Sequence, residues 1–551
     1  MIAKSTWKIL GAQGLPLPSD CYEIKSTGEK DSIEFDLFFR KEVEVSQVVL
    51  EVAFQEPIEG WRYLDYTWRQ VSKSAWVAPV HSPKVLRLNN GYLVVAQKNI
   101  GCWQYEPQSG TLLWYFIHPN LAPTLVYDSL DRRVFLQSQE IARGTCIQTG
   151  LIGTQGTVEE WARTPEGFMP TICFTDHSDF DTLQNLRIQR DFFSSLGIKV
   201  TKGFFLYDYT HKDENASFED QESRIELIQW KEEGHELAYH AFSQSYRGVI
   251  SEKEFQSFEC PQEIAPIDTY IDHGFHPYNY TQQQLGNWES WYKHMQSKGI
   301  QRLWTYVDAG EAHYFNLNQL NPEGFTLKKM EQSAKLARKK GKARSKLTDF
   351  RNFLMYGVPE SVLREGKFFG AALLGLSSRP NLSNLKRGGI SGFRFLGEMV
   401  KPSNLSETIF RLSHIFPVNQ FSPLFFFSPN QKSTQLKSFQ TLAVRDFDIA
   451  FSEEAIDSLL RENGALIAHT YFAYLGVNHP GRLFEDRSWT IRKAAREGFE
   501  RLGKLIQEGK IWNPTLREME EFHRQFEGIE YSKKGENLVV NNFNGITRII
   551  E

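Results

Sequence analysis

Thr171-Ile172-Cys173-Phe174-Thr175 is an apolar, β-favouring run that leads straight into Asp176-His177-Ser178-Asp179. Such a run reads as a buried strand whose C-terminal end opens into a polar site. Three further runs end alike: His235–His240 closes on His240, Thr269–Asp272 leads into His273 with His276 beyond, and Ala465-Leu466-Ile467-Ala468 closes on His469. Asp and His are donors of the kind divalent metals take. The chemistry on offer is a metal-activated water, a carboxylate base and an imidazole acid. Each histidine alone is more often a satisfied buried or capping residue than a ligand. Four strand ends that all close on His or Asp are harder to assign to packing, because parallel strands put their C-terminal ends on one face.

The elements that must position these residues follow from periodicity. From residue 166 to 325, strand-like and helical runs alternate. Thr171–Thr175 precedes helical Leu183–Leu196, with Gly197 as its stop, and Lys202–Tyr207 precedes helical Glu219–Glu233. Helix Ser251–Phe258, helix Gln282–Ser297 and strand Arg302–Val307 continue the series. Alternation of this kind predicts parallel βα units, in a barrel or an open sheet. It stops across 326–437 and resumes over 438–525, with a strand at Ala443–Ala450, helix Ser452–Glu462, the His469 strand and helix Thr490–Gln507. Residues 1–165 hold short alternating runs separated by turn signals such as Asn89-Asn90-Gly91, which predicts a β-sandwich. Its Trp and Tyr residues suit core packing better than sugar stacking, since aromatics carry the largest apolar areas. The tail, 526–551, predicts a β-hairpin packed on another domain.

The block 326–437 is expected to be a mostly helical insertion. Lys328–Lys346 carries nine Lys or Arg against Glu331, and apolar pieces follow at Phe368–Leu376 and Leu424–Phe427. Two readings stay open, a solvated basic helix face and a peripheral contact with an anionic membrane.

Composition bounds the rest. The chain has 551 residues, 41% hydrophobic and 24% charged, with a net charge of −4, which argues against a global nucleic-acid binder. Its five cysteines show no metal-knuckle spacing and read as reduced. No signal-peptide core or transmembrane run of about 18 apolar residues stands out. The expected location is therefore cytoplasmic, with peripheral contact at the inner membrane as the variant that the insertion allows.

In order and context these motifs resemble the polysaccharide deacetylases, the NodB-homology carbohydrate esterases, of which the chain would be a divergent member. The resemblance spans about 166–325 and 438–525. Asp176-His177 stands where that family has an Asp-Asp pair. Gly234-His235-Glu236 leads into His240-Ala241-Phe242-Ser243-Gln244, where the family has two metal-binding histidines. Pro277-Tyr278 keeps the end of the third motif, and Leu466-Ile467-Ala468-His469 matches the late one. The resemblance implies a deformed (β/α) barrel joined to the sandwich, and metal-dependent removal of N- or O-acetyl groups from a saccharide or glycoconjugate. Under it, Asp176 is the base and His469 the general acid. His177, His240 and His273 hold a divalent metal, zinc by type, while Asp179, His276 and Tyr278 face the substrate. Alternatively Asp176 aligns with the family's metal-binding Asp, leaving Thr175 at the base position. Gln244 replaces one family histidine, so a catalytically inactive saccharide-binding protein and a metal-dependent phosphoesterase remain as rivals.

Overall fold

The computed structural model describes residues 1–551 except 30, 72–75, 130–131, 209–214, 244–251, 274–278, 281–287, 342–353, 355–356, 379–381, 430–435, 477–478 and 480. Gln244, His276 and Tyr278 lie outside the described residues.

Most of the N-terminal part folds as two antiparallel sheets, beside a two-stranded ribbon of Leu125–Ser129 and Arg132–Phe135. In one, the long strand Val43–Phe54 pairs with Ile2–Gly11, Thr111–Ile117 and Gln139–Ile141. The other sheet has seven strands, with Cys146–Thr154 between Ser32–Phe39 and Leu93–Ala96. Alternation along the strands sends Phe35, Leu50, Trp103, Trp114 and Leu151 into a shared core. Trp61 and Trp76 stack in it with ring centroids 4.3 Å apart. These rings are core material, each contributing about 1.5–3 kcal/mol on burial.

The second part is a ten-stranded sheet, parallel except at one edge. Its strands are β1 (Thr171–Asp176), β2 (Thr201–Phe204), β3 (Glu236–His240), β4 (Thr269–Ile271), β5 (Arg302–Trp304), β6 (Asp308–Glu311), β7 (Phe425–Phe427), β8 (Lys437–Phe439), β9 (Thr441–Ala443) and β10 (Ala465–Thr470). The order across the sheet is β6-β9-β10-β1-β2-β3-β4-β5-β8-β7, and only β7 runs antiparallel to its neighbour. This order forces the sheet to curl. β5 and β6 stand near opposite ends of it, yet four peptide steps join Trp304 to Asp308, a reach of about 14 Å at most. β8 and β9 are likewise joined through Gln440 alone. Trp304 Nε1 on β5 donates to Thr441 Oγ1 on β9 at 2.9 Å, stitching the two ends together. The protein is thus a sheet-rich molecule of antiparallel sheets and a curled, half-barrel sheet.

Strand alternation gives this sheet two faces. Ile172, Phe174, Phe204, Leu237, Tyr239, Tyr270, Leu303, Leu466 and Ala468 belong to the large core shared with the helices. Cys173, Ala238, Ile271, Trp304 and Ile467 belong to a separate cluster on the concave side. The helices are set by local signals. Leu183–Ser195 starts at Thr182 in a capping box with Asn185, and Gly197 follows it with φ 66°. At the N-terminal end of the strands, Glu236 accepts from Thr201 Oγ1 (2.9 Å), Thr269 Oγ1 (2.8 Å) and the Arg517 N–H (2.9 Å).

Several expectations change. The run Arg302–Val307 is not one strand: β5 ends at Trp304 and β6 begins at Asp308 on the far edge. Ala443–Ala450 divides at Arg445-Asp446 into the end of β9 and a short helix, Phe447–Ala450. The block 326–437 is helical through Leu327–Lys339, Glu360–Ser378, Leu382–Met399 and Pro402–Ser413, but its last residues form β7 and enter β8. The tail is more than a hairpin. Glu530–Lys534, Asn537–Asn541 and Thr547–Ile550 form one sheet with Val158–Trp161. There buried Glu160 accepts from Arg62 Nε (2.6 Å) and Arg548 Nε (2.8 Å), tying three distant stretches together.

Candidate functional site

The concave face collects the histidines. His469 is in register with Thr175 on β1 and Ala443 on β9, and His240 with Ile271 on β4. Same-register residues of parallel strands share a face, so the C-terminal ends of β10, β1 and β3 point His469, His177 and His240 into one place. The ring centroids of His177 and His469 are 4.2 Å apart, those of His177 and His240 4.7 Å, and those of His240 and His273 4.7 Å. Four imidazoles from strand ends nearly 300 residues apart therefore meet. Trp304 stands edge-on to both His177 (4.7 Å) and His469 (4.8 Å).

Asp179 joins them through the turn after β1. Its Oδ1 lies 2.5 Å from His273 Nε2 and its Oδ2 lies 3.5 Å from His240 Nδ1. His177, Asp179 and His240 each offer a ligand atom, all within 4.8 Å of one another. Two bonds of about 2.1 Å reach about 4.2 Å back to back, close to the spread of these three atoms. Two observations fit a metal. His177 Nδ1 and His240 Nε2 are buried with no hydrogen-bond partner among the described residues. Burial, then the neighbouring histidines, pushes His177 far below its usual range. Burial likewise lowers His240 to about 3, against the pull of Asp179. Both are thus neutral imidazoles at ordinary pH. Burial opposes the charge on Asp179, but His273 and His240 outweigh it and hold the carboxyl well below the usual carboxylate range.

His469 is built differently. Its Nδ1 is 3.0 Å from Asp308 Oδ1 and 3.3 Å from Oδ2. Asp308 Oδ1 also accepts from Thr441 Oγ1 (2.7 Å), which accepts from Trp304 Nε1 (2.9 Å). A carboxylate oriented in this way keeps the proton on His469 Nδ1 and leaves Nε2 for exchange. His469 Nε2 is buried with no hydrogen-bond partner among the described residues. Asp308 does not stand out in the sequence because Arg302–Val307 reads as one continuous strand. In the sequence Asp308 follows the run Arg302–Val307 as Asp176 follows Thr171–Thr175, which is the signal that could have found it.

Asp176 is elsewhere. It is in register with Lys202 on β2 and Thr470 on β10, on the helix-facing side of the sheet. The carboxylate is fully buried. Its Oδ1 accepts from Thr470 Oγ1 (3.0 Å) and the Phe472 N–H (2.8 Å), and its Oδ2 pairs with Lys202 Nζ. Lys202 also pairs with Asp181 at 2.6 Å. Burial raises the Asp176 carboxyl to about 6, with the Lys202 ammonium acting against it. The base expected at Asp176 therefore has no access to the histidine cluster. Thr175, the neighbour on the concave face, donates its hydroxyl to the Ala468 carbonyl at 2.9 Å.

No family model matches the chain, and no curated protein matches it. Among solved structures it is similar to a β-arabinopyranosidase, at 8% identity and a TM-score of 0.22, covering 55% of this chain and 53% of that one. It is similar to a Flavobacterium johnsoniae dextranase at 9% identity and 0.18, covering 51% and 39%. It is also similar to a xylosidase from Aspergillus niger at 12% identity and 0.17, covering 54% and 40%. The chain thus spans about half or less of the length of these proteins. Similarity at this level assigns no activity.

Proposed function

We propose that the protein is a metal-dependent hydrolase that removes acetyl groups from a saccharide. The observation that carries this reading is the convergence of His177, Asp179 and His240 beside the separately oriented His469–Asp308 pair. His177, Asp179 and His240 would hold a divalent ion, zinc by the donor set. Bound there, the ion would polarise an acyl oxygen and acidify a water molecule. His273 fixes Asp179 by the 2.5 Å contact. His469, with Nδ1 held by Asp308, exchanges a proton at Nε2 and so serves the leaving amine or alcohol. Trp304 and Thr441 hold Asp308 in place. The base role that the deacetylase resemblance gives Asp176 is not carried over, because its carboxylate is bonded on the other face of the sheet. Saccharide as the substrate class rests on that resemblance.

One observation favours a saccharide-binding protein without turnover: Thr175, not a carboxylate, occupies the concave face at the first motif. Acetate release from N-acetylated oligosaccharides by protein supplied with zinc separates the two. Turnover that falls about 10²–10⁴-fold in His469→Ala is the expected result. Saccharide binding with no acetate release would establish the binding protein, and cleavage of phosphate esters alone would establish a phosphoesterase.

A further inference from the structure

The helices after Lys340 carry a surface that the hydrolase site does not use. Among the described residues, half of the sixteen exposed large hydrophobic side chains fall between 368 and 409. Five are on or just after the helix Leu382–Met399: Leu385, Ile390, Phe393, Leu396 and Val400. Phe393 is 81% exposed and Val400 70%. Leu385, Phe393, Leu396 and Val400 recur at helical spacing and define one outward stripe. The neighbouring stripe, about 90° round the helix, is already occupied. Gly388 and Phe395 are buried, Phe395 stacks on Phe369 at 6.0 Å, and a Cβ on Gly392 would meet the Phe369 ring at 3.0 Å. Phe395 packs with Leu354, Val358, Val362 and Leu363 in a cluster of the helical block itself. The outward stripe is therefore surplus to folding. Leu405 and Ile409, four apart on the next helix, add to it.

Charge decides what covers this face. Residues 327–414 hold 18 Lys or Arg against 6 Asp or Glu, a net +12 in a chain whose total is −4. Lys386, Arg394 and Lys401 are exposed beside the stripe. A second copy docked through the same face would set like charge against like charge. A protein partner's apolar patch would leave the basic rim unanswered. An anionic bilayer surface answers both features, because it accepts apolar side chains at the headgroup boundary and attracts Lys and Arg around them. No helix among the described residues is long and apolar enough to cross a membrane, so the contact is one that lies on the surface.

We propose that the outer stripe of the Leu382–Met399 helix, with Leu405 and Ile409, seats the protein peripherally on an anionic lipid bilayer. The test is flotation of the full chain with vesicles of phosphatidylglycerol and phosphatidylcholine in equal parts, against vesicles of phosphatidylcholine alone. Co-flotation with the anionic vesicles only, weakened by salt, is expected. Phe393→Asp with Leu396→Asp should lower the bound fraction at least about tenfold through the lost apolar insertion, and Lys386→Glu with Arg394→Glu should do so through the lost attraction. All four positions are exposed, so an unchanged melting temperature should accompany both losses. The proposal is overturned by no flotation, by equal flotation with phosphatidylcholine alone, by flotation that neither double variant changes, or by a concentration-dependent dimer that the apolar variant abolishes while lipid binding persists.

Discussion

A single step along β1 separates a residue in the site from one in the wall. His177 meets His240 and His469 on the concave side, whereas Asp176 bonds Lys202 and Thr470 on the other. The histidines are legible in the sequence because each closes an apolar run. The face each side chain takes is not, since it depends on which neighbours fall in register. Asp176→Asn should keep bound metal and lower the melting temperature, because Lys202 then keeps Asp181 and Gln189 but loses the anionic Oδ2 of Asp176, a cost on the order of 1–3 kcal/mol. His469→Ala should keep metal and fold while losing turnover. Asp308→Asn should lower turnover less, and should alter the pH–rate profile, because its role is to fix the proton on His469 Nδ1. Thermal melts, metal content and acetate release on the three variants check these outcomes together.

Elements set the next scale. The period change near 166 and the break after 325 are visible in the sequence, because they reflect local hydrophobic spacing. The destinations of β6, β7, β8 and β9 are not, because three-residue strands at opposite sheet ends carry no local signature. The helical block leaves and rejoins the half-barrel at neighbouring points, for the Phe416 N–H donates to the Phe325 carbonyl at 3.0 Å. Beyond it, Phe416 and Leu436 join the helix-side core and Leu424 and Phe425 the concave-side cluster. Replacing 327–414 by a short Gly/Ser linker should therefore leave a cooperative melting transition. Extending the deletion to 437 should abolish it, since it removes β7, the first residue of β8 and these four core residues. Calorimetry on the two deletions distinguishes the outcomes. A cooperative transition in the longer one would mean that β7 and β8 are dispensable.

The whole molecule is held where sandwich, half-barrel and tail meet. His81 of the first part and His523 after the last long helix face each other there, with ring centroids 5.4 Å apart. His81 Nε2 accepts from the Leu424 N–H at 3.2 Å. Burial, then the charges of Arg163 and Lys437, lowers His523 from 6.5 to about 3, and burial with His523 and Lys437 holds His81 well below its usual range. In this window the unfolded chain binds protons that the folded chain does not. Stability is therefore full above the unfolded value and is lost as pH falls from 6.5 towards about 3. The melting temperature should fall through this range, and less steeply in His523→Phe. Equal slopes would show that other groups govern the acid limb. None of this junction is foreseeable from local pattern, since His81 and His523 sit in unrelated runs.

The central claim is one metal centre built from His177, Asp179 and His240 at the mouth of a curled parallel sheet. Metal content by mass spectrometry, on untagged protein purified without chelators, tests it most directly. The account predicts about one divalent ion per chain, lost in His240→Ala and in Asp179→Asn because each removes a ligand, and retained in Asp176→Asn. A chain that holds no ion, or one that keeps its ion in both ligand variants and loses it with Asp176, would contradict the account.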